Sequence, residues 1–293
     1  MKTLRMKGSS TGVKITIVGF SILFVLNAIF NLYPVYMAFV NAFKTVEEYG
    51  ESIVALPTEW LWGNFLKVFS TFDDAIGYSY FQLLGNTLWI LVVNTLAELT
   101  ASFIFAYALA KFRFPGSEFL YWLVILTQTI PIMGTSAASF KLRVDLNMIN
   151  NPSLIWISWL SAFDFTFIIF YGTLKGISKS YSEAAKIDGA GNLYIMFNII
   201  IPQAFPVILA NAITAAVGIW NNYSISMIHL RLYPTLAYGM YLFDYNGQGV
   251  YLIDGGRPVY FAAAFWSALP MIFLYGASQN LILKNMTVGG LKG

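Results

Sequence analysis

The sequence of 293 residues contains no cysteine and a single histidine, His229, and only 11% of its residues are charged. The absence of cysteine excludes disulfides and cysteine-based metal sites, and one histidine cannot form a zinc site alone. Soluble domains carry about 25% charged residues, so this low charge, together with 58% hydrophobic residues, indicates a protein of the lipid bilayer. The net charge of +3 is too small to suggest nucleic acid as a partner.

The sequence also lacks any G-x-x-x-x-G-K-[ST] segment. In P-loop ATPases this segment forms the loop whose backbone amides bind nucleotide phosphates. The chain therefore cannot bind ATP in that manner. Any ATP-driven function must use a separate ATPase subunit.

Six largely apolar runs are each long enough to cross about 30 Å of hydrocarbon. They lie at about residues 15–43, 83–110, 119–140, 152–174, 205–228 and 259–283. The first is about twice as long as the 7 to 15 residues of a signal-peptide core, so we interpret it as a retained helix. The runs predict an all-α integral membrane protein in which residues 1–293 form a single domain of six transmembrane helices.

The lysines and arginines are unevenly distributed on this map. Eleven lie on the side that carries both termini and six on the other side. Because these residues are enriched in cytoplasmic loops, we predict that both termini are cytoplasmic. The loop at about residues 178–202 is then cytoplasmic, and the loop at about residues 230–258 is external.

The cytoplasmic loop carries the most specific local pattern in the chain. Ser180 and Glu183 match the S/T-x-x-E capping box, which predicts a short helix that begins at Ser180. Gly189 and Gly191 permit a backbone reversal after that helix, and Pro202 suits the first turn of the fifth span. These features alone also fit a simple capped connector between two spans.

The complete motif is more restrictive, because it reads E-A-A-x3-G-x9-I-x-x-P. This motif resembles the cytoplasmic loop of ABC importer permeases, and further stretches resemble the smaller permease of maltose-type carbohydrate importers. The motif residues are Glu183, Ala184, Ala185, Gly189, Ile199 and Pro202, and the further stretches are Asn41–Lys44, Leu56–Pro57, Gly85–Thr87, Tyr233–Leu236 and Met286–Gly293. Gln203, Ala204 and Asn285 depart from the residues that are usual in that family.

The resemblance implies the type I ABC importer permease fold in a bacterial cytoplasmic (inner) membrane. It also implies a second, homologous permease as a heterodimer partner, an ATPase dimer that binds ATP and Mg, and an extracytoplasmic solute-binding protein. In that family the short loop helix sits in a cleft of the ATPase and transmits its closure to the membrane helices. The chain itself is then neither an enzyme nor a cofactor-binding protein.

The same resemblance assigns roles to residues of this sequence. Contacts with the ATPase are implied for the loop, and also for a C-terminal tail that enters the ATPase interface. These residues are Glu183, Ala184, Ala185, Asp188, Gly189, Pro202, Gly289, Gly290 and Lys292. Contact with the binding protein is implied for the external residues Tyr245, Asn246, Gly247, Gln248 and Gly249.

Polar residues inside the spans are candidates for a solute pathway, because such groups are costly in hydrocarbon and tend to face protein or water. In the fifth span, Asn211, Thr214, Gly218 and Asn222 recur at offsets of 3, 7 and 11, which predicts one helical face. Glu98 and the ring of Trp220 complete the candidate set. The same residue types also hold membrane helices together, and both interpretations stay open. In the maltose-type family, solute contacts lie chiefly on the other permease.

We therefore predict a permease subunit of an ATP-driven importer that moves an oligosaccharide or related sugar by alternating access. The alternative is an ion-coupled secondary transporter or channel, with coupling ions at Glu98 or Asp164. A membrane enzyme fits poorly, because the sequence offers no nucleophile with an adjacent base.

Overall fold

The computed structural model describes residues 11–130, 135–152, 160, 163–245 and 255–286. These residues form helices and turns, without any strand in the described ranges. The α-helices are α1 (Thr11–Asn41), α2 (Val46–Glu51), α3 (Gly63–Ile76), α4 (Tyr80–Lys111), α5 (Ser117–Thr129), α6 (Thr135–Asp145), α7 (Phe165–Gly176), α8 (Lys179–Ile187), α9 (Asn192–Ile195), α10 (Ile201–Trp220), α11 (Leu236–Tyr245) and α12 (Gly256–Met286). Two π-helical turns occupy Met196–Ile200 and Ile225–His229.

Four of the described helical segments are long and apolar enough to cross a membrane. They are Thr11–Asn41, Tyr80–Lys111, Asn192–Trp220 and Gly256–Gln279. They overlap the first, second, fifth and sixth predicted spans. The count of six spans remains a prediction, because the third and fourth fall partly on residues outside the described ranges.

The third predicted span, 119–140, is not one uninterrupted helix. α5 ends at Thr129, and Ile130 has extended backbone angles, φ −84° and ψ 115°. The reason is in the sequence, because Pro131 follows and a residue before proline is driven out of the α-helical region.

The fourth predicted span, 152–174, is also interrupted. Asp164 is extended, with φ −133° and ψ 175°, and its side chain accepts a hydrogen bond from the Phe167 backbone amide. Aspartate is a strong N-cap, so α7 begins at Phe165.

The boundaries of the fifth predicted span, 205–228, were wrong at both ends. The helical segment runs from Asn192 and ends at Trp220, followed by Asn221 as its C-cap. Likewise, the predicted external loop 230–258 is not entirely loop, since it contains α11.

The π-turn at Met196–Ile200 has a cause in Pro202. Proline has no backbone amide, and its ring clashes with the carbonyl four residues earlier in a regular α-helix. Here the amide of Ile201 reaches the carbonyl of Met196, five residues back. The wider turn accommodates Pro202 within the continuous helical segment Asn192–Trp220.

The chain divides into two compact units. The first comprises the described parts of Met1–Thr71 and Asn246–Trp266. In it, the buried Lys44 ammonium donates to the carbonyls of Ser52 (2.7 Å) and Ile53 (3.2 Å), at the C-terminal end of α2. The buried Asn64 amide donates to the carbonyls of Ala42 and Lys44, both at 2.9 Å. The family-like stretch Asn41–Lys44 therefore has a structural role, because its hydrogen bonds hold the chain folded back after α1.

The second unit comprises the described parts of Phe72–Tyr245 and Ser267–Gly293. Two family-like stretches meet in it, although they are far apart in sequence. The Asn86 amide donates to the Pro234 carbonyl (3.0 Å), and the Leu236 amide donates to the Thr87 hydroxyl (2.7 Å). Thr87 therefore joins α4 to the start of α11.

The largest described core of this unit lies where α4, α7 and α10 meet. It is built from buried apolar side chains of α4, α5, α7, α9, the π-turn and α10. Its buried members are Leu99, Phe103, Ala106, Tyr107, Leu109, Val124, Phe167, Phe170, Leu174, Ile195, Met196, Ile200 and Ala204. We refer to this set as the α4–α7 core.

Candidate functional site

The short helix predicted in the loop exists as α8, but its cap differs from the prediction. The Ser178 hydroxyl, not that of Ser180, accepts the first-turn hydrogen bond, from the Ser180 amide at 3.3 Å. The helix consequently begins at Lys179. Ser180 lies inside its first turn, so the proposed capping box with Glu183 is wrong, and Glu183 is left exposed on the helix surface.

α8 ends in a Schellman motif centred on Gly189. The Gly189 amide donates to the Lys186 carbonyl (3.0 Å), and the Ala190 amide donates to the Ala185 carbonyl (2.9 Å). Gly189 has φ +83°, a left-handed conformation that favours glycine. Gly191 instead has φ −74° and ψ 162°, which any residue adopts, so only the first of the two predicted glycines makes the turn.

The two sides of α8 have different surroundings. Glu183, Ala184 and Asp188 are exposed, whereas Ala185 packs against the α4–α7 core. The side chain of Ile187 is 87% exposed, so α8 presents a large apolar side chain that nothing in the described chain covers. The motif fixes no residue at position 187, but the apolar character of Ile187 in the sequence already favoured contact with a partner.

A concave surface follows the Gly189 turn. It encloses about 570 Å³ between the end of α8 and the π-turn, and its walls include Ala185, Gly189, Tyr194 and Asn198. Pro202 lies one helical turn further on, at the start of α10. The predicted coupling residues from Glu183 to Gly189 are thus brought together, with Pro202 close by in the chain.

Two groups of predicted contact residues lie outside the described part of the chain. These are Gly289, Gly290 and Lys292 of the tail, and Asn246, Gly247, Gln248 and Gly249 of the external loop. Tyr245 is described and is 73% exposed at the end of α11. Its ring stacks on that of Tyr241, with the centroids 5.4 Å apart.

The predicted polar face of the fifth span is only partly preserved. Asn211 and Thr214 lie on α10 and donate to carbonyls four residues earlier, at 2.8 and 3.0 Å. Gly218 is exposed on the same helix. Asn222 lies beyond the end of α10, where its side-chain oxygen accepts from the Ser224 amide, so helical periodicity does not place it on this face.

Trp220 differs from its expected role. Its side chain is 6% exposed, and its indole N–H donates to the Ser267 carbonyl of α12 at 3.0 Å. An indole that is buried and bonded in this way holds two helices together. Trp220 therefore packs α10 against α12, and its role in a solute pathway stays a prediction.

Glu98 belongs to a polar cluster between α4 and α7. Ser102 donates to both carboxylate oxygens of Asp164, at 3.0 and 2.8 Å, and Thr166 donates to Glu98 at 3.4 Å. Sequence reasoning singled out both acids, but it could not pair them with Ser102 and Thr166. Those pairings depend on the N-terminus of α7 meeting the middle of α4.

His229 sits in a second polar cluster. Its Nε2 lies 2.8 Å from Arg143 Nη1, and since arginine only donates, Nε2 accepts and the proton of the neutral ring is on Nδ1. That Nδ1 is buried and has no hydrogen-bond partner among the described residues. Burial first, and the charge of Arg143 second, lower the pKa of His229 below its ordinary value.

The overall fold is that of an ABC importer permease. The chain superimposes on a subunit of a bacterial ABC transporter involved in the import of the acidic polysaccharide alginate, with a TM-score of 0.75, 23% identity, and 93% of this chain and 98% of that chain covered.

Residues 98–288 match the family described as binding-protein-dependent transport system inner membrane component. The chain belongs to this family, and it is a permease subunit of an ABC importer.

Several curated relatives match over most of their length. The diacetylchitobiose uptake system permease of Streptomyces coelicolor is 26% identical over 268 residues, which cover 91% of this chain and 86% of the relative. The arabinooligosaccharides transport system permease of Halalkalibacterium halodurans is 26% identical over 270 residues, covering 91% and 92%. The melibiose/raffinose/stachyose import permease of Bacillus subtilis is 26% identical over 265 residues, covering 89% and 91%.

Proposed function

We propose that this chain carries an oligosaccharide or related sugar through the membrane as one half of an ATP-driven importer. The observation that carries the proposal is α8, an exposed short helix that ends in the Gly189 turn and presents Ala184 and Ile187 outward. The names of the relatives above favour a sugar as the solute. The other components would be a second permease, two ATPase copies that bind ATP and Mg, and an extracytoplasmic binding protein.

The exposed side of α8 suits a cleft on an ATPase. Small side chains such as Ala184 permit close approach of the helix backbone, and an apolar residue such as Ile187 gains free energy when a partner covers it. Glu183 and Asp188 add charges at the rim. We infer that α8 is the coupling helix, and that it and both termini face the cytoplasm.

The buried side of α8 provides a route for motion. Ala185 and Ala190 pack against the α4–α7 core, and so does Ile199 beyond the π-turn. Close-packed side chains transmit a displacement because they leave little free volume to absorb it. A movement of the coupling helix with the ATPase would therefore be passed to α4 and α7, and alternating access would follow from it.

The structure does not favour the ion-coupled alternative. It rested on Glu98 and Asp164, and both acids are engaged by hydroxyl groups of the same unit. The family and the relatives give it no support.

The absence of native cysteine makes a direct test possible, since any introduced thiol is unique. Ala184→Cys is expected to form a disulfide with a cysteine placed in the ATPase cleft, and to react with a membrane-impermeant maleimide only in inside-out vesicles. Tyr245→Cys, the matched external control, is expected to react only in right-side-out vesicles. Labelling of Ala184→Cys from the outside would refute the orientation and the coupling role together.

The transport activity is tested in proteoliposomes that contain all the proposed components. We expect uptake of labelled arabino-oligosaccharides, raffinose or diacetylchitobiose to require both ATP and the binding protein. Uptake driven by an ion gradient without ATP would contradict the proposal.

A further inference from the structure

A basic cavity lies at the end of α4 where that helix meets α5 and α7. It encloses about 420 Å³ and is lined by four cationic side chains, those of Lys111, Arg113, Lys175 and Lys179. Among the described residues that line it, Glu118 is the only acid. Four positive charges and one negative charge leave a net charge of +3 around the cavity.

The hydrogen bonds described for these cations go to neutral atoms. Lys111 donates to the Ile177 carbonyl at 2.8 Å, and Lys175 donates to the Tyr171 hydroxyl at 3.1 Å. Within the described ranges none of the four forms an ion pair closer than 4.0 Å. A lysine ammonium has three donors, so each lysine can still bind an anion while it keeps its present contact.

The aromatic residues around the cavity favour a position at the membrane surface. Trp122 and Tyr121 line it, the former 59% exposed, and the Tyr121 ring lies 4.5 Å from that of Tyr171 between centroids. Tryptophan and tyrosine are enriched at the level of lipid headgroups. α4 is one of the candidate spans, and Lys111 is its last residue.

A second basic cavity of about 280 Å³ adjoins the first. It shares Lys111, Arg113 and Lys179 with it and adds Lys186 of the coupling helix. Glu183 is the acid that lines this second cavity, so basic side chains outnumber acidic ones in both cavities, from the end of α4 to α8.

We propose that the larger cavity binds the phosphate of an anionic phospholipid, such as phosphatidylglycerol. Basic pockets between membrane helices are suited to such headgroups. Phe119 of α5 is 69% exposed next to the cavity residue Glu118, so an acyl chain can continue along an apolar helix face. An acidic surface of a protein partner would match the charge as well, but a lipid is favoured because Lys111, the last residue of the candidate span α4, lines the cavity.

Native mass spectrometry of the assembled transporter in detergent tests this proposal. The complex is exchanged into equimolar phosphatidylglycerol and phosphatidylcholine, and retained lipid is counted. Wild type is expected to retain phosphatidylglycerol selectively. The double variant Arg113→Gln/Lys175→Gln is expected to lose about tenfold or more of that lipid, as two cations near the phosphate are removed.

Two further variants separate specific binding from bulk charge and from misfolding. Lys14→Gln/Lys141→Gln removes two cations that do not line the cavity and is expected to retain the lipid as wild type does. Arg113→Lys/Lys175→Arg keeps both charges and is expected to restore retention. Equal retention of both lipids by wild type, or unchanged retention in the cavity double variant, would overturn the proposal.

Two further measurements distinguish recognition of the lipid phosphate from binding of an acidic protein surface. Displacement of the lipid signal by millimolar glycerol phosphate, with no effect of matched sodium chloride, would support recognition of the headgroup phosphate. Loss of the ATPase from the cavity variant without loss of lipid would overturn the proposal in favour of an acidic protein surface. Because the readout is lipid retention and not uptake, the result stands apart from the proposed transport function.

Discussion

Substitution of Gly189 offers the sharpest prediction for the coupling helix. The residue has φ +83°, and a Cβ atom added to it would meet no atom within 4 Å. Alanine at this position therefore suffers backbone strain alone, about 1–2 kcal/mol. Asparagine tolerates the left-handed region better and should cost less. Gly191→Ala is the matched control, because Gly191 already has the backbone angles of an ordinary residue and equally open space.

Proline at position 189 is expected to be much more disruptive than alanine. It fixes φ near −65° and removes the amide that donates to the Lys186 carbonyl. The lost hydrogen bond adds about 1 kcal/mol to a conformational cost that the turn cannot relieve. The damage stays local, since Gly189 is exposed and lies outside the α4–α7 core.

The assay compares ATP hydrolysis and sugar uptake per assembled complex, with membrane levels measured by immunoblot. A loss of 1–2 kcal/mol reduces the population of the native turn relative to its alternatives by a factor of about 5–30. We expect Gly191→Ala to show uptake close to that of wild type. Uptake should then decrease from Gly189→Asn to Gly189→Ala and be lowest for Gly189→Pro. Normal uptake by Gly189→Pro at a normal membrane level would refute the coupling role of the turn.

Two other clusters yield predictions that thermal unfolding in detergent can check. Ser102→Ala leaves the half-buried Asp164 carboxylate without its hydroxyl donor and should lower the free energy of unfolding by about 1–3 kcal/mol. The control Thr173→Ala should lower it little, because the Thr173 hydroxyl donates to a carbonyl of its own helix. Equal effects of the two variants would contradict the role of the cluster. His229 has a folded-state pKa below its unfolded value, so the folded state binds fewer protons; its contribution to stability is present above about pH 6.5 and is lost as the pH falls through the folded pKa. His229→Gln should therefore flatten the decline in melting temperature between about pH 7.5 and 5.5, and an unchanged decline would exclude His229 as its source.

The sequence motifs predicted the place and end of α8 correctly but not its start. Gly189 was found because a left-handed turn after a helix favours glycine, a local property. The choice between Ser178 and Ser180 as the cap was missed, because either hydroxyl is suitable and the path of the chain from α7 decides between them. The position of Asn222 beyond α10 and the burial of Trp220 were not foreseen, for a similar reason. Periodicity assumes a continuing helix, and burial depends on which neighbour covers a residue, here Ser267 of α12.

The motif itself treats two neighbouring alanines alike, although the structure assigns them opposite surroundings. Ala184 is exposed, and Ala185 packs against the α4–α7 core. Leucine at position 184 should leave the melting temperature in detergent unchanged but reduce co-purification of the ATPase, because it adds bulk where the cleft must close. Leucine at position 185 should cost about 1–3 kcal/mol by overpacking and lower the melting temperature before any partner is added. If both variants lost the ATPase with no change in melting temperature, Ala185 would also contact the ATPase. The coupling helix would then have to transmit its movement to α4 and α7 by a route other than the α4–α7 core.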